Sequence, residues 1–316
     1  MRTPTDLTDP VYSNDDAARR HLEALRWPNG VTCPLCGGVD KVKALRGKSM
    51  GPGWYWCGDC SGKFTVRVGS VFERSHIPLH KWLMGFRLMA SSKKGMSAHQ
   101  LHRTLGITYK SAWFMAHRIR EAMADSDPTP MGGGNEPVEV DEAYIGSSGY
   151  QLKNDKGWQL KRGFGDKSRV ITLVERGGRA RSIKVDDMTA QTVRAVVLAN
   201  VKQDSRLMTD ESALYRSVGK EMDSHETVHH KRKEYVRGDA STNTVEGYFS
   251  IFKRGMKGVY QHCTDKHLQR YLYEFDFRYS NRAALGIDDG ERTALAIKGA
   301  EGKRLTYRQH DGRAAN

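Results

Sequence analysis

Two acidic residues in the second half of the chain stand where a carboxylate needs a partner. Asp141 lies inside the strand-like run 138–145, and Asp210 follows another predicted strand, 205–208. A carboxylate within a sheet loses hydration energy unless it is paired with a charge or bound to a metal ion. Either residue alone is also compatible with a helix cap or a turn, so both interpretations stay open at this point.

A third carboxylate, Glu246, lies 36 positions after Asp210, within residues 241–254, which have the periodicity of a helix. At about 100° per residue, such a helix has one apolar face and one polar face. The apolar face consists of Val245, Tyr248, Phe249 and Phe252, and the polar face of Asn243, Glu246, Ser250 and Lys253. The polar face is either a solvated surface or the side that brings a third acidic group to a site.

Four of the five cysteines form two close pairs, Cys33 with Cys36 and Cys57 with Cys60, with twenty residues between the pairs. This spacing is typical of a zinc ribbon, in which four thiolates close a tetrahedral structural site. The alternatives are a redox dithiol or a chance arrangement. Cys263 has no partner in the sequence and is expected to be a semi-buried thiol.

Residues 97–123 predict a helix-turn-helix. A first helix at 97–106 stops at Gly106, the turn covers 107–109, and a second helix follows at 110–123. The second helix carries polar side chains that suit a reader of the DNA major groove, namely Lys110, Ser111, His117, Arg118 and Arg120. The alternative is a plain helical hairpin within a bundle.

The elements that must position these residues fall into successive regions. Residues 13–75 predict an N-terminal helix and the zinc ribbon, and 76–124 the helical region; 125–137, rich in Pro and Gly, predict a linker. Residues 138–285 predict a mixed α/β domain, and the polar, Gly-rich tail 286–316 is expected to be mobile. The domain's predicted strands are 138–145, 168–174, 180–185 and 205–208, with a helix at 188–201 and further helices after them.

Composition and charge restrict the class of partner. The 316 residues include 51 Lys and Arg against 37 Asp and Glu, a net charge of +14, and 38% of them are hydrophobic. A positive excess of this size favours a polyanionic partner, because each phosphate contact releases a condensed counterion. No run approaches the ~18 apolar residues of a membrane span, and the first thirty residues lack a signal-peptide core. We therefore expect a cytoplasmic protein that is neither secreted nor membrane-spanning.

Several short motifs occur in order along residues 15–282. They are Leu25-Arg26-Trp27-Pro28-Asn29-Gly30 leading into Cys33, Val140-Asp141-Glu142-Ala143-Tyr144-Ile145-Gly146, Thr209-Asp210-Glu211, Thr242-Asn243-Thr244-Val245-Glu246-Gly247 and Lys253-Arg254-Gly255. Together they resemble the DDE transposases of bacterial insertion sequences, in the branch with an N-terminal zinc ribbon. The fold class that this implies is a multidomain chain, with a small four-cysteine zinc ribbon and a helix-turn-helix-like region followed by an α/β ribonuclease-H-like catalytic domain.

The resemblance also implies roles for individual residues. The acidic triad of the family is matched by Asp141, Asp210 and Glu246, and a lysine that contacts DNA in many relatives is matched by Lys253. Some members of the branch have Asn as the third residue, and Asn243 lies one turn before Glu246 on the same face, as a supporting or substitute ligand. Glu139, one strand repeat before Asp141, is the weaker competitor for the first position.

A cluster of three carboxylates is stable only with hard cations between its members, and oxygen ligands select Mg²⁺ or Mn²⁺. Two such ions about 3.5–4 Å apart support in-line displacement at phosphorus. The resemblance implies that water first releases a 3′-OH at the element end, and that this 3′-OH then attacks a target strand. We expect Asp141 to bridge both ions, and Asp210 and Glu246 to bind one each.

The expected partner is double-stranded DNA, comprising the terminal inverted repeats of the element and the target. The zinc ribbon and the helical region would recognise the repeats, and a nucleoid-associated homo-oligomer is expected by analogy, because two element ends are brought together. Candidate phosphate contacts lie near the catalytic helix and in the helix-turn-helix; they are Lys231, Arg232, Lys233, Arg237, Lys253, Arg254, Lys257, Lys110 and Arg118.

Two other functions are compatible with parts of this pattern. A zinc-ribbon DNA-binding regulator with a decayed catalytic domain would keep the front half of the chain, but the intact Asp141, Asp210 and Glu246 argue against decay. A ribonuclease-H-like structure-specific nuclease would keep the acidic residues, but it leaves the ribbon and helical region without a task. Metal-dependent nicking and strand transfer separate the three functions.

Overall fold

The computed structural model describes residues 6–47, 50–127, 129–146, 151–154, 157–160, 167–261 and 263–306. The chain forms two compact units. One unit comprises the N-terminal part of the chain through Ala124 together with the chain from Gly286 onward, and the other comprises Asp125–Leu285. The first unit is therefore built from both ends of the sequence. Within the described ranges, every helix is too short or too polar to span a lipid bilayer.

The α-helices of the described residues are α1 (Asp15–Arg26), α2 (Leu79–Ser91), α3 (Ala98–Leu105), α4 (Tyr109–Ala122), α5 (Ala190–Asn200), α6 (Asn243–Gly255), α7 (Asp265–Ser280) and α8 (Asp289–Lys298). The strands are β1 (Val42–Ala44), β2 (Tyr55–Cys57), β3 (Lys63–Phe64), β4 (Pro137–Ile145), β5 (Gln151–Asn154), β6 (Gly157–Leu160), β7 (Ser168–Glu175), β8 (Ala180–Val185), β9 (Arg206–Asp210), β10 (Ser224–Val228), β11 (Val236–Arg237) and β12 (Ala240–Ser241).

The four paired cysteines converge beside a small antiparallel sheet of β1, β2 and β3, in which Cys57 is the last residue of β2. Their ligand atoms all lie within 4.8 Å of one another, with Sγ–Sγ distances of 3.7 Å for Cys33–Cys60 and 3.6 Å for Cys36–Cys57. A tetrahedral site with zinc–sulfur bonds of ~2.3 Å requires sulfur atoms about 3.8 Å apart. The predicted zinc ribbon is confirmed, and its four thiolates fit a structural zinc ion.

The helix-turn-helix of α3 and α4 turns at Gly106, which adopts φ = 58°, and α4 begins with Thr108 as its N-cap. Lys110 is exposed in the first turn of α4. Arg118, which we predicted to contact DNA, is instead buried: its guanidinium donates to the backbone carbonyls of Val71, Glu73 and Leu305. The prediction for Arg118 is wrong, because this part of α4 belongs to the core.

The predicted mobile tail also differs from the structure. Residues 289–298 form α8, which begins with a reciprocal capping box between Asp288 and Glu291 and buries Ala296 and Ile297. The buried Arg292 donates to the carbonyl of Ala90 in α2. These contacts hold the helix against the first unit despite its polar composition, while residues 307–316 lie outside the described ranges.

The second unit contains a five-stranded sheet in the order β10-β9-β4-β7-β8. β4, β7 and β8 are antiparallel, whereas β9 is parallel to β4 and β10 is parallel to β9. Apolar side chains of α5 pack in a cluster on one face, and those of α6 and α7 pack in a cluster on the other. The predicted mixed α/β domain is confirmed.

The expected linker 125–137 packs against this second unit in its described residues. Met131 is fully buried, and its backbone N–H donates to the carbonyl of Asn200. The N–H of Gly132 donates to the Glu175 carboxylate and that of Gly133 to the Ser205 hydroxyl. Glycine is required at these two positions because a side chain there would collide with neighbouring atoms. The segment is therefore a packed part of the second unit and not a free spacer.

A buried polar group joins β8 to the two helices above it. The Asp276 carboxylate accepts hydrogen bonds from the backbone N–H and the hydroxyl of Ser182, at 2.8 and 2.7 Å, and from the Tyr248 hydroxyl at 2.5 Å. Burial raises the pKa of Asp276 from 3.8 to about 6, because the charged form loses its hydration. This carboxyl group therefore makes stability depend on pH.

We predict that replacing Asp276 with Asn changes this pH dependence. Between about pH 4 and pH 6 the folded chain retains a proton on Asp276 that the unfolded chain has released. The contribution of Asp276 to the free energy of unfolding therefore falls as pH rises through this window, by an amount on the order of 2–3 kcal/mol. Urea unfolding at several pH values should show that the free energy of unfolding of Asp276→Asn, relative to that of the wild type, increases from pH 4 to pH 6. A pH-independent difference would contradict this, and the exposed Asp223→Asn is the control.

We predict that Cys57→Ser releases the zinc ion and unfolds the ribbon, since a tetrahedral structural site requires all four ligands and metal binding is coupled to folding. Mass spectrometry of the native protein should find one zinc per wild-type chain and little in the variant, with faster proteolysis between residues 30 and 65. Cys263→Ser, which changes a cysteine outside the quartet, should keep its zinc. Equal zinc content in both variants would rule out the quartet as the site.

Candidate active site

Strand β4 presents its side chains alternately to the two faces of the sheet. Val138 and Val140 point into the cluster that contains the side chains of α5. Ala143 belongs to the cluster that contains those of α6, so Asp141 and Glu139 lie on the α6 side. The sheet thus directs Asp141 towards the helix that carries Glu246.

Strand β9 brings Asp210 beside Asp141. The parallel pairing of β4 and β9 aligns Glu139 with Met208, and the same register two residues later aligns Asp141 with Asp210. Neighbouring strands lie about 4.8 Å apart, and aligned residues project to the same face. The pairing of β4 with β9 ends at Glu139 and Met208, two residues before the aspartates. Asp210 is the last residue of β9, and its carboxylate accepts the N–H of Ser212.

Helix α6 supplies the third carboxylate. Its buried residues include Val245, Tyr248, Phe249 and Phe252, the apolar face that the sequence predicts. Asn243 and Glu246 are exposed on the opposite face, one turn apart. The Glu246 carboxylate lies 3.5 Å from Nε2 of His230 and 3.4 Å from Oγ1 of Thr242. Both candidates for the third position thus project from the same side of α6.

The acidic residues act on one another electrostatically. Burial and the adjacent Glu142, followed by Asp210 and Glu246, raise the pKa of Asp141 to about 7. Burial also raises the pKa of Glu142, whose carboxylate accepts a hydrogen bond from the buried Tyr215 hydroxyl on the other face of β4. Negative charge is therefore concentrated at the end of β9 and the middle of β4, which favours a proton or a divalent cation there.

The carboxylates are spaced more widely than the cysteines. Among the described residues, only the four cysteines bring three or more potential ligand atoms all within 4.8 Å of one another. The acidic group instead offers several oxygen atoms on separate elements, a strand interior, a strand end and a helix. Such a set of hard donors fits Mg²⁺ or Mn²⁺.

Glu139, the competitor for the first position, has a different role. It is fully buried, and its carboxylate accepts the backbone N–H groups of Thr244 and Val245 at 2.8 and 3.0 Å. It also accepts the Thr244 hydroxyl and Nε of Arg176, each at 2.8 Å. All four donors come from the start of α6 or from Arg176, so Glu139 fixes the position of α6 against β4.

Thr209, Glu211 and His225 lie around the site, although the sequence assigned them no role of their own. The hydroxyl of Thr209 donates to the carbonyl of Asp210 and lies 2.9 Å from Nε2 of His225. The Glu211 carboxylate accepts the N–H groups of His230 and Lys231. The two adjacent acidic residues at the end of β9 therefore have different roles. Asp210 faces the site, whereas Glu211 anchors the segment that begins at His230.

Most of the cations predicted to contact DNA are exposed. They are Lys110, Lys231, Arg232, Lys233, Arg237, Lys253, Arg254 and Lys257. Arg237 forms a bidentate pair with Glu234 at 2.8 Å, which reduces its charge towards a ligand. Lys253 stands with its ammonium 5.3 Å from the centre of the Phe249 ring, on the solvent side of α6.

Comparison with known proteins matches both parts of this architecture. Residues 133–280 match the ISXO2-like transposase domain, and residues 13–63 match the transposase zinc-ribbon domain. Both matched ranges are therefore transposase domains. It is also 27% identical over 279 residues, 85% of this chain and 92% of the relative, to an uncharacterized protein in transposable element ISH50 of Halobacterium salinarum.

The two matched ranges divide the transposase by its elements. The range 13–63 contains α1 and all four cysteines, whereas 133–280 contains the five-stranded sheet with α5, α6 and α7. The helix-turn-helix lies between them, outside both matches. The three acidic residues of the candidate active site all lie inside the transposase-domain match.

We predict that Glu139→Gln destabilises the transposase by about 3 kcal/mol, because it removes the buried one of the two carboxylates that pair with Arg176 and turns an amide towards backbone N–H donors. Urea unfolding followed by circular dichroism measures this loss. Glu136→Gln, at an exposed position nearby, should stay within about 0.5 kcal/mol of the wild type. A Glu139→Gln variant as stable as the wild type would show that the pair does not hold α6.

Proposed function

We propose that this transposase cuts DNA at the ends of its insertion element and joins the released 3′-OH to target DNA. The observation that carries the proposal is that β4, β9 and α6 place Asp141, Asp210 and Glu246 on the same side of the sheet, near enough for Asp210 and Glu246 to contribute to the raised pKa of Asp141. The matches to the two transposase domains support the same chemistry. Chromosomal and element DNA in the cytoplasm are the substrates.

Asp141, Asp210 and Glu246 would hold the divalent cations. When bound, Mg²⁺ or Mn²⁺ activates the attacking oxygen and stabilises the leaving oxygen in a displacement at phosphorus. The raised pKa of Asp141 responds to both Asp210 and Glu246, so Asp141 would be the central ligand of the set, with Asp210 and Glu246 as the other two. Asn243 is a supporting ligand or the substitute for Glu246.

The chain's own residues contribute position and charge. Glu139 and Arg176 hold α6 so that Glu246 faces the aspartates. The exposed Lys253, Arg254 and Lys257 extend from the same helix and its continuation, and they would hold phosphates of the bound strand. DNA binding should then weaken steeply as salt concentration rises.

The first unit supports recognition of the element. A zinc ribbon and a helix-turn-helix with Lys110 exposed at the start of its second helix suit binding of the terminal inverted repeats. Joining both element ends to one target requires two active sites, so a homo-oligomer on DNA is part of the proposal.

We predict that Asp141→Asn, Asp210→Asn and Glu246→Gln each reduce cleavage in Mg²⁺ at least about 100-fold, since each removes a charged metal ligand. The assay uses purified full-length protein and labelled DNA that carries the element's own ends, with Mg²⁺ or Mn²⁺, and scores nicked and joined strands. Asp223→Asn, an exposed carboxylate of the same unit, should match the wild type.

Each departure from this result has a separate meaning. Retained cleavage in Asp141→Asn would overturn the metal assignment. Cleavage that survives in Glu246→Gln but is lost in Asn243→Ala would move the third ligand to Asn243. Specific binding without metal-dependent cleavage would favour a DNA-binding regulator, and cleavage without joined products would favour a nuclease.

A further inference from the structure

Residues 229–241, here called the basic hairpin, connect the sheet to the catalytic helix. The basic hairpin contains a 3-10 turn at His230–Arg232 and the antiparallel pair of β11 and β12, and it leads directly into α6. Its sequence combines Lys231, Arg232 and Lys233 with an exposed aromatic residue, Tyr235. None of the roles described above uses that aromatic ring.

The base of the basic hairpin is fixed to the candidate active site. The Glu211 carboxylate, next to Asp210, accepts the N–H of His230 at 2.9 Å. Nε2 of His230 lies 3.1 Å from Oγ1 of Thr242 and 3.5 Å from the Glu246 carboxylate. On the other side, Asp239 accepts hydrogen bonds from Arg176 and Arg206, at 2.8 and 2.9 Å. The hairpin is therefore held at both ends.

The outer part of the basic hairpin is exposed. Tyr235 and Val236 have 53% and 54% of their surface exposed, and the Lys231 side chain 88%. Arg232 and Lys233 are exposed and form no ion pair with another described residue. The Tyr235 ring meets the His230 ring edge to face, with centroids 5.2 Å apart. One imidazole ring thus separates an exposed aromatic side chain from the Glu246 carboxylate.

We propose that Tyr235 stacks on an unpaired DNA base next to the phosphate that the acidic residues hold, while Lys231, Arg232 and Lys233 bind the flanking backbone. This rests on the proposed function of the same site, which supplies the DNA strand. A base inside an intact duplex is covered on both faces, so a protein ring can stack only on a terminal or extruded base. Aromatic rings beside cations are the usual platform for such bases.

The charge of the basic hairpin decides between this ligand and a protein surface. An exposed Tyr and Val would also suit a second copy of the chain. However, the three adjacent cations would repel another basic chain, which carries a net charge of +14. They attract a phosphate backbone instead. An unpaired nucleotide offers a base that can stack on the Tyr235 ring and a phosphate that can pair with the cations.

The test is a binding cycle that needs no catalysis. The full-length protein is titrated, without added Mg²⁺, with element-end duplexes that have one unpaired base at successive positions around the cleavage point, or an abasic site in its place. We expect Tyr235→Ala to weaken binding of the unpaired-base duplex about tenfold, and Tyr235→Phe to bind as the wild type does. At one position, an abasic site in place of the unpaired base should weaken binding by the wild type as much as Tyr235→Ala does. The same abasic site should not weaken binding by Tyr235→Ala any further.

Val236→Ala, the neighbouring exposed apolar residue, is the matched control and should bind normally. Additive effects of Tyr235→Ala and the abasic site at every position would overturn the proposal, and so would normal binding by Tyr235→Ala. A loss in Tyr235→Phe equal to that in Tyr235→Ala would assign the role to the hydroxyl and overturn stacking. Altered sedimentation of Tyr235→Ala with unchanged DNA affinity would identify a second copy as the occupant.

Failure of the proposed function gives a different pattern. If Tyr235→Ala and the abasic site have the expected non-additive effects on binding but the wild type cleaves no DNA in Mg²⁺ or Mn²⁺, stacking would be supported and the cleavage activity refuted. Conversely, cleavage that depends on Asp141 but not on Tyr235, with additive binding effects, would leave the catalytic proposal intact and remove stacking.

Discussion

The buried carboxylate of Glu139 is the interaction on which the candidate active site depends. The first N–H groups of any helix lack partners within the helix, and Thr242 at the start of α6 makes no side-chain cap. Glu139 accepts two of those N–H groups from a strand more than a hundred residues earlier, and the positive end of the helix dipole favours its charge. Arg176 completes the neutralisation. The orientation of α6, and with it Glu246, follows from this contact.

Glu139 and Asp141 show how two carboxylates on one strand face acquire opposite roles. Every donor around Glu139 comes from the protein, so this group is saturated and structural. Asp141 instead faces other carboxylates, receives the N–H of Glu142, and has its pKa raised to about 7. A group that is surrounded by like charges is the one that gains from an external cation. Two residues of separation along β4 are enough to produce this difference.

Much of this arrangement could be predicted from the sequence, because local patterns carried it. Strand-like runs predicted β4, β7, β8 and β9, helical periodicity predicted the buried face of α6, and the cysteine spacing predicted the ribbon. Non-local contacts carried the rest. The Arg118 side chain finds its carbonyl partners at Val71, Glu73 and Leu305, which no helical pattern indicates. The strand β10 is a polar, half-buried edge that exists only because β9 pairs with it.

The same topology explains why the acidic residues gather at this point of the sheet. β4 has an antiparallel neighbour, β7, on one side and a parallel neighbour, β9, on the other, so the chain direction changes there. Ligand sites in open α/β sheets form where neighbouring connections diverge beyond the carboxyl end of a strand. The pairing of β4 with β9 stops two residues before Asp141 and Asp210, so these aspartates lie just beyond the paired part of the two strands. Because β9 ends at Asp210 while Glu139 fixes the start of α6 against β4, acidic residues from two strands and one helix lie on the same side of the sheet.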